Sequence, residues 1–160
     1  MKPDELRREL REGDSDAMRN RRAIATLALS AAAPLAYIAL WQLGVFRHIA
    51  EPPGALLDAE KVNGSDQAYA RFAVPDAFLG VASMAATATL AAMGGERRSP
   101  LLSLATAAKI AFDAANAGKL TVDQWTKYRA FCLWCLLSAS ATFAMVPLAI
   151  SEARQAFRNL

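Results

Sequence analysis

The sequence contains few of the residues that build metal centres or disulfide scaffolds. It has two cysteines and one histidine, His48, in 160 residues. A structural zinc site usually needs four ligands, which this set does not supply. Covalent haem attachment needs a histidine directly after a Cys-x-x-Cys pair, and Leu136 stands there instead. Two cysteines are also too few for a disulfide-stapled fold. We therefore expect no metal site, and we expect His48 to be an ordinary interfacial residue.

Charge is absent from long stretches of the chain. Hydrophobic residues make up 54% of the sequence and charged residues 21%, and the two kinds are segregated. A membrane-spanning helix needs about 20 predominantly apolar residues. Segments of about this length lie at residues 23–43, 73–93, 100–117 and 130–150. The pattern predicts an all-α fold, a transmembrane four-helix bundle in contact with membrane lipid. Basic residues are not interleaved with aromatic ones, so nucleic acid is not an expected partner.

The charge distribution predicts how the chain is divided and oriented. The expected parts are a cytosolic N-terminal segment at 1–22, the membrane domain at 23–150 and a cytosolic tail at 151–160. Arginines cluster in the first part, in the Arg97-Arg98 turn and in the tail, and basic residues favour the cytosolic side. With four spans, these three regions lie on the same side, which is the cytosolic side of the cell inner membrane or plasma membrane. The loop at 44–72 then caps the bundle on the outer side.

The third apolar segment carries two charges. Lys109 and Asp113 lie four residues apart, which is one helical turn. An isolated charge at mid-membrane costs about 2.5–3.5 kcal/mol on insertion scales, and an opposite charge one turn away offsets part of that cost. We favour a structural ion pair over a proton relay. A small transporter built on this pair is another reading of the chain.

Both cysteines open the last apolar segment, in the motif Cys132-Leu133-Trp134-Cys135. Cysteines at i and i+3 share one face of a helix and can cycle between two thiols and a disulfide. If the helix begins near Phe131, its free N–H groups and positive dipole end favour a thiolate there. Thr121 and Gln124 also match a capping box, which would start the helix earlier and carry the pair a few turns in. Buried, inert thiols are the alternative to a redox pair.

Several short motifs resemble those of one membrane family. They are Ser65 in the long loop, DAFLG at 76–80 opening the second span, and FCLWC at 131–135. Together with the four spans, they make residues 20–150 resemble the vitamin K epoxide reductase family. The resemblance implies a membrane thiol–disulfide oxidoreductase. Such an enzyme couples quinone reduction to disulfide formation in a thioredoxin-like extracytoplasmic partner.

The resemblance also implies roles for individual residues. Cys135 corresponds to the cysteine nearest the quinone, and Cys132 to its partner, which exchanges electrons with the substrate protein. Ser65 corresponds to a loop serine near the two cysteines. Asp76 falls where relatives have an asparagine that hydrogen-bonds the quinone oxygen. An apolar wall for the quinone ring is expected from Phe78, Phe131 and Trp134.

The chain departs from the family pattern in its loop. Family members usually carry two further cysteines there, which pass electrons to the Cys-x-x-Cys pair, and this chain has none. Ala59 occupies the position six residues before the serine where a cysteine is expected, and Ala139 replaces an aromatic hydroxyl. Two readings follow. Either a partner dithiol reaches Cys132 directly, or the chain is a catalytically degenerate scaffold or accessory membrane subunit.

Overall fold

The computed structural model describes residues 2–96 and 98–158, and this part of the chain is helical apart from loops and one isolated bridge. Four helices are long: α2 (Asp16–Gln42), α5 (Asp76–Ala92), α6 (Pro100–Asp123) and α7 (Leu133–Arg158). Three are short: α1 (Pro3–Glu12), α3 (Ala59–Asn63) and α4 (Asp66–Tyr69). A single π-helical turn, Gln124–Tyr128, follows α6. The predicted all-α fold is confirmed.

The four long helices pack on one another unevenly. Helix α2 packs along both α5 and α7, and α6 packs along α7, whereas α5 and α6 contact each other little. Gly80 lies against Leu35 of α2: a Cβ at this position would lie 2.9 Å from Leu35 Cδ1, so that side chain would have to shift. Small residues of this kind allow helices to approach closely. The bundle is therefore tight on three sides and open between α5 and α6.

Two of the helices satisfy the criteria for a membrane span. Helices α2, with 27 residues, and α7, with 26, are long and apolar enough to cross a membrane. Helix α5 is apolar but has 17 residues, about 26 Å at 1.5 Å per residue. The number of spans and the cytosolic position of both termini remain predictions. Helix α7 also runs past residue 150, the expected end of the last span, so most of the expected tail is helical.

The sequence left two possible starts for the last helix, one near Phe131 and one at the Thr121–Gln124 capping box. Thr121 lies inside α6, where its Oγ1 donates to the carbonyl oxygen of Ala117 at 2.8 Å. The capping-box reading was therefore wrong, because α6 continues through the pattern. Arg129 adopts a left-handed conformation with φ 52° and ends the π-helical turn. The next helix begins at Leu133, close to the start expected near Phe131.

The ion pair expected in the third apolar segment is present. Lys109 Nζ lies 2.5 Å from Asp113 Oδ2. Asp113 is buried, and it also accepts hydrogen bonds from Ser83 Oγ at 2.8 Å and Thr87 Oγ1 at 2.9 Å. Since Ser83 and Thr87 belong to α5, this cluster joins α5 to α6 where the two helices otherwise contact each other little. Its contacts are those of a structural ion pair.

A cluster of buried charges connects the helices at the other end of the bundle, away from the cysteines. Glu152 Oε1 lies 2.8 Å from both Arg21 Nε and Arg98 Nη2, and the exposed fractions of the three side chains are 4%, 6% and 1%. Arg98 also donates to Ser103 Oγ at 2.9 Å and to the Leu90 carbonyl at 3.0 Å. The cluster therefore links α2, α5, α6 and α7. Arg97, its neighbour in the predicted basic turn, lies outside the described residues.

Replacement of Glu152 by Gln should strongly destabilise the protein. It leaves two buried guanidinium groups without a counter-charge, and breaking a buried pair in this way costs about 3–5 kcal/mol. The free energy of unfolding, measured by denaturant titration in detergent micelles, should fall accordingly. The matched control is Asp4→Asn, which removes a fully solvated pair with Arg7 and should change stability by less than about 1 kcal/mol. Equal effects of the two substitutions would contradict the role assigned to Glu152.

Candidate functional site

The helix break puts the two cysteines at the N-terminus of α7. Cys132 immediately precedes the helix, and Cys135 lies in its first turn. Both are free thiols in this structure. The backbone N–H of Cys135 donates to Cys132 Sγ at 3.2 Å, so the Cys132 sulfur takes the place of an N-cap acceptor. The pair therefore has the one-turn proximity that a reversible disulfide requires.

Cys132 is completely buried, in a cluster that includes the loop residues Ile49, Ala59 and Val62. The exposed fraction of Cys132 is 0%. Residue 131 is extended and pairs with the loop: its N–H donates to the Leu56 carbonyl at 2.7 Å, and its carbonyl accepts from the Asp58 N–H at 2.9 Å. Gln124 Oε1 accepts the Cys132 N–H at 2.8 Å. Cys132 thus lies behind a lid formed by the loop.

The same loop is held to the first turn of α7 by a second set of hydrogen bonds. Glu51 accepts the Leu133 N–H through Oε1 at 2.6 Å and the Ala59 N–H through Oε2 at 2.8 Å. Trp134 Nε1 donates to the Ala50 carbonyl at 2.9 Å. The first N–H groups of α3 and α7 therefore share one carboxylate. Ala59, where the family pattern has a cysteine, is buried in the same apolar cluster as Cys132.

Cys135 contacts Asn63, the last residue of α3 in the same loop. Its thiol donates to Asn63 Oδ1 at 3.4 Å, and Asn63 Nδ2 donates to the Ala59 carbonyl at 2.7 Å. Asn63 is 5% exposed. This contact could not be predicted from the sequence, because Asn63 is followed by Gly64 and the pair is typical of a turn. The amide holds the Cys135 side chain in a defined position.

A cavity of about 380 Å³ opens beside Cys135. Its walls come from α5, α6 and α7, and its roof comes from α3 and α4. Exposed Phe112 and Leu120 of α6 line it, so it reaches the surface between α5 and α6. Asn63, Ser65 and Asp76 are among the polar residues that line it. It has the size and the mostly apolar character of a site for a small organic molecule.

Two predicted binding residues line this cavity. Ser65 Oγ donates to the Val62 carbonyl at 3.0 Å and lies 3.1 Å from the Tyr128 hydroxyl. Asp76 Oδ1 accepts from Gln42 Nε2 at 3.0 Å. Gln42 also donates to the Asn63 carbonyl at 3.1 Å, so Asp76 is connected to the residue that holds Cys135. These contacts bring Ser65, Asp76 and Cys135 to one cavity.

The three aromatic residues expected to form the wall of the cavity do not line it. Trp134 packs on Tyr37, with ring centroids 4.9 Å apart, and Phe131 stacks on Trp125 at 5.8 Å. Phe78 packs against the outer buried cluster. The physical reason is helical geometry, since each residue turns the helix by about 100°. Trp134 is one residue from Cys135 and Phe78 is two residues from Asp76, so they project about 100° and about 200° away from those side chains. Apolar side chains such as Leu79 and Met84 take their place in the lining.

A polar network forms part of the rim of the cavity. Gln67 lies 3.2 Å from the Tyr128 hydroxyl through Oε1 and donates through Nε2 to Asp123 Oδ2 at 3.3 Å. Asp123 also accepts from Lys119 at 2.6 Å, and Lys127 lies 3.1 Å away. Hydrogen bonds from these two ammonium groups lower the pKa of Asp123 to about 2. The carboxylate is therefore ionised throughout the physiological pH range and anchors the start of the π-helical turn.

Comparison with known proteins identifies one family. The model of the Vitamin K epoxide reductase family matches residues 22–150, which include α5, α6, the loop and both cysteines. No curated protein matches the chain. The matched region contains the whole cavity described above.

The burial of the two sulfurs predicts unequal reactivity. N-ethylmaleimide should modify Cys135 several-fold faster than Cys132 in the folded, reduced protein, because Cys135 lines the cavity and Cys132 is covered. The rates are measured by peptide mass spectrometry on single variants, Cys132→Ser and Cys135→Ser. In sodium dodecyl sulfate the two rates should become equal. Faster labelling of Cys132 in the folded state would contradict the covered position of this residue.

Proposed function

The chain belongs to the vitamin K epoxide reductase family, and from this premise we propose that it is a membrane thiol–disulfide oxidoreductase that reduces a quinone. The family is one of membrane redox enzymes that act in disulfide formation, so the chain is an oxidoreductase. The observation that supports a quinone-reducing thiol–disulfide pair is the difference in surroundings between the two cysteines. Cys135 lines an apolar cavity, whereas Cys132 is fully buried and does not line it.

The first half of the proposed reaction is thiol–disulfide exchange. A thiolate of a thioredoxin-like extracytoplasmic partner attacks Cys132 Sγ, the Cys132–Cys135 bond breaks, and Cys135 leaves as a thiolate. The second thiolate of the partner then attacks the mixed disulfide and releases Cys132. The partner loses two electrons and forms its own disulfide. Since Cys132 is covered, this step requires the loop strand around Leu56–Asp58 to move aside.

The second half returns these two electrons to a quinone. The dithiol is oxidised to the disulfide, and a quinone in the cavity takes up two electrons and two protons to become the hydroquinone. The cavity volume of about 380 Å³ suits a ring headgroup. Asn63 and Asp76 supply polar groups beside Cys135 for a ring oxygen, and Leu79 and Met84 supply apolar contacts. The chain's own part is to position the ring and exclude water.

The location of the protein is part of the proposal. We infer a multi-pass protein of the cell inner membrane or plasma membrane with both termini in the cytosol, because the arginines cluster on the side of residues 1–22. The cysteine end then lies on the extracytoplasmic side, where disulfides form. The opening between α5 and α6 gives a lipid-dissolved quinone a lateral route to Cys135.

One observation favours the second candidate function, a non-catalytic scaffold or accessory subunit. Cys132 is fully covered, and the loop that covers it carries no cysteine to relay electrons. In that case the two thiols stay reduced or the bond stays closed, and no partner disulfide passes through them. The two functions therefore differ in whether the thiol state of the pair responds to the quinone pool.

Depletion of quinone should shift the pair towards the dithiol form if the chain is the proposed enzyme. The thiol state is read in membranes by acid quenching, alkylation with maleimide–polyethylene glycol and gel mobility. Re-addition of a quinone should restore the disulfide. The matched control is a Cys132→Ser variant, which cannot form the bond. An unchanged thiol state on depletion would support the scaffold instead.

Substitution of the cavity-facing cysteine should trap the partner. In a Cys135→Ala variant the Cys132 thiolate can attack the disulfide of an oxidised partner and release one partner thiolate. Without Cys135 to attack the resulting mixed disulfide at Cys132, a covalent complex sensitive to dithiothreitol should accumulate. The complex is detected by non-reducing gel electrophoresis and mass spectrometry. The double variant Cys132→Ala, Cys135→Ala should form none. Absence of a complex from the single variant would argue against exchange at Cys132.

A further inference from the structure

Glu51 joins the loop to the cysteine helix in a way that the proposed reaction does not use. Its two carboxylate oxygens accept the first N–H of α7, from Leu133 at 2.6 Å, and the first N–H of α3, from Ala59 at 2.8 Å. Leu133 directly follows Cys132 in the chain. A negative charge is thus held at the helix terminus that carries the redox pair.

This position is the one a cysteine thiolate would otherwise use. Free N–H groups at a helix N-terminus stabilise a nearby anion, and a thiolate stabilised there favours the reduced form of a Cys-x-x-Cys pair. At α7 the first N–H is bonded to the Glu51 carboxylate. The carboxylate both occupies a donor and repels a second negative charge. Its presence therefore disfavours a thiolate on Cys132 relative to the neutral disulfide.

We propose that Glu51 is a positioning residue that sets the redox equilibrium of the Cys132–Cys135 pair towards the disulfide. The proposal rests on the proposed function, because it assumes that the pair cycles. In the half-reaction, two electrons and one proton reduce the disulfide to the Cys132 thiolate, which Glu51 disfavours, and the Cys135 thiol; a second proton gives the dithiol. Glu51 enters no covalent step and acts through the Leu133 N–H and its charge.

A second loop carboxylate supplies a matched control. Glu60 Oε1 accepts the Ile49 N–H at 2.9 Å and lies 3.2 Å from His48 Nδ1. Both carboxylates therefore bind backbone N–H groups of the same loop, but only Glu51 contacts the helix that carries the cysteines. A purely structural role in holding the loop is shared by the two residues, whereas an effect on the redox pair belongs to Glu51 alone.

The test is a redox titration of purified, quinone-free protein in detergent. Wild type, Glu51→Gln and Glu60→Gln are equilibrated with reduced and oxidised dithiothreitol, quenched with acid, and analysed with maleimide–polyethylene glycol. The Glu51→Gln equilibrium constant should shift about tenfold towards the dithiol, which is about 30 mV for two electrons. The Glu60→Gln constant should match wild type. Thermal unfolding is measured on the same samples.

Each outcome decides the proposal. No shift in Glu51→Gln, or equal shifts in both variants, would overturn it and leave Glu51 as a loop staple. If Glu51→Gln does not fold, Glu51→Asp serves instead: its shorter side chain weakens the contact with the Leu133 N–H and should shift the constant towards the dithiol by less than tenfold. No shift of Glu51→Asp, or a shift towards the disulfide, would then overturn the proposal. If the wild-type pair forms no reversible disulfide, the proposed function fails first, and this inference fails with it.

Discussion

The arrangement of the two sulfurs depends on one constraint, the helix break between Tyr128 and Leu133. Arg129 is held in a left-handed conformation, which costs about 1–2 kcal/mol for a residue other than glycine. The break frees the N–H groups that follow, and the loop and Gln124 bind them. Loop and helix start therefore form together. Without the break, both cysteines would lie inside a continuous helix, where the backbone N–H groups are already bonded.

The two ends of the bundle are held by different kinds of interaction. At the outer end, backbone N–H groups bond to loop carbonyls and to the Glu51 carboxylate, contacts that can open and close. At the other end, Glu152 is buried between two arginines and links four helices. Between the ends, α5 and α6 meet mainly through the Lys109–Asp113 cluster. The cysteine end is thus held by hydrogen bonds of one loop, and the opposite end by a buried ion cluster that links four helices.

The sequence supported the fold more fully than the site. Long apolar segments predicted the helices, and the spacing of Lys109 and Asp113 predicted their ion pair, because both depend on local periodicity. Asn63 and Glu51 carried no such signal, since their partners lie far away in the chain. The Thr121–Gln124 pattern misled for a related reason: a capping box describes one turn, and packing against α7 carried α6 through it. Phe78, Phe131 and Trp134 are close to the site residues in sequence, but closeness in sequence does not bring their side chains into the cavity.

The gap between α5 and α6 has a consequence for how ligands should be compared. If the protein spans the membrane as proposed, a molecule that enters through this gap is drawn from the bilayer, so site occupancy follows its mole fraction in lipid rather than its aqueous concentration. Two inhibitors of equal intrinsic affinity then differ in apparent potency by the ratio of their partition coefficients. Extra empty vesicles would weaken both by dilution, although neither the protein nor the total amount of compound had changed.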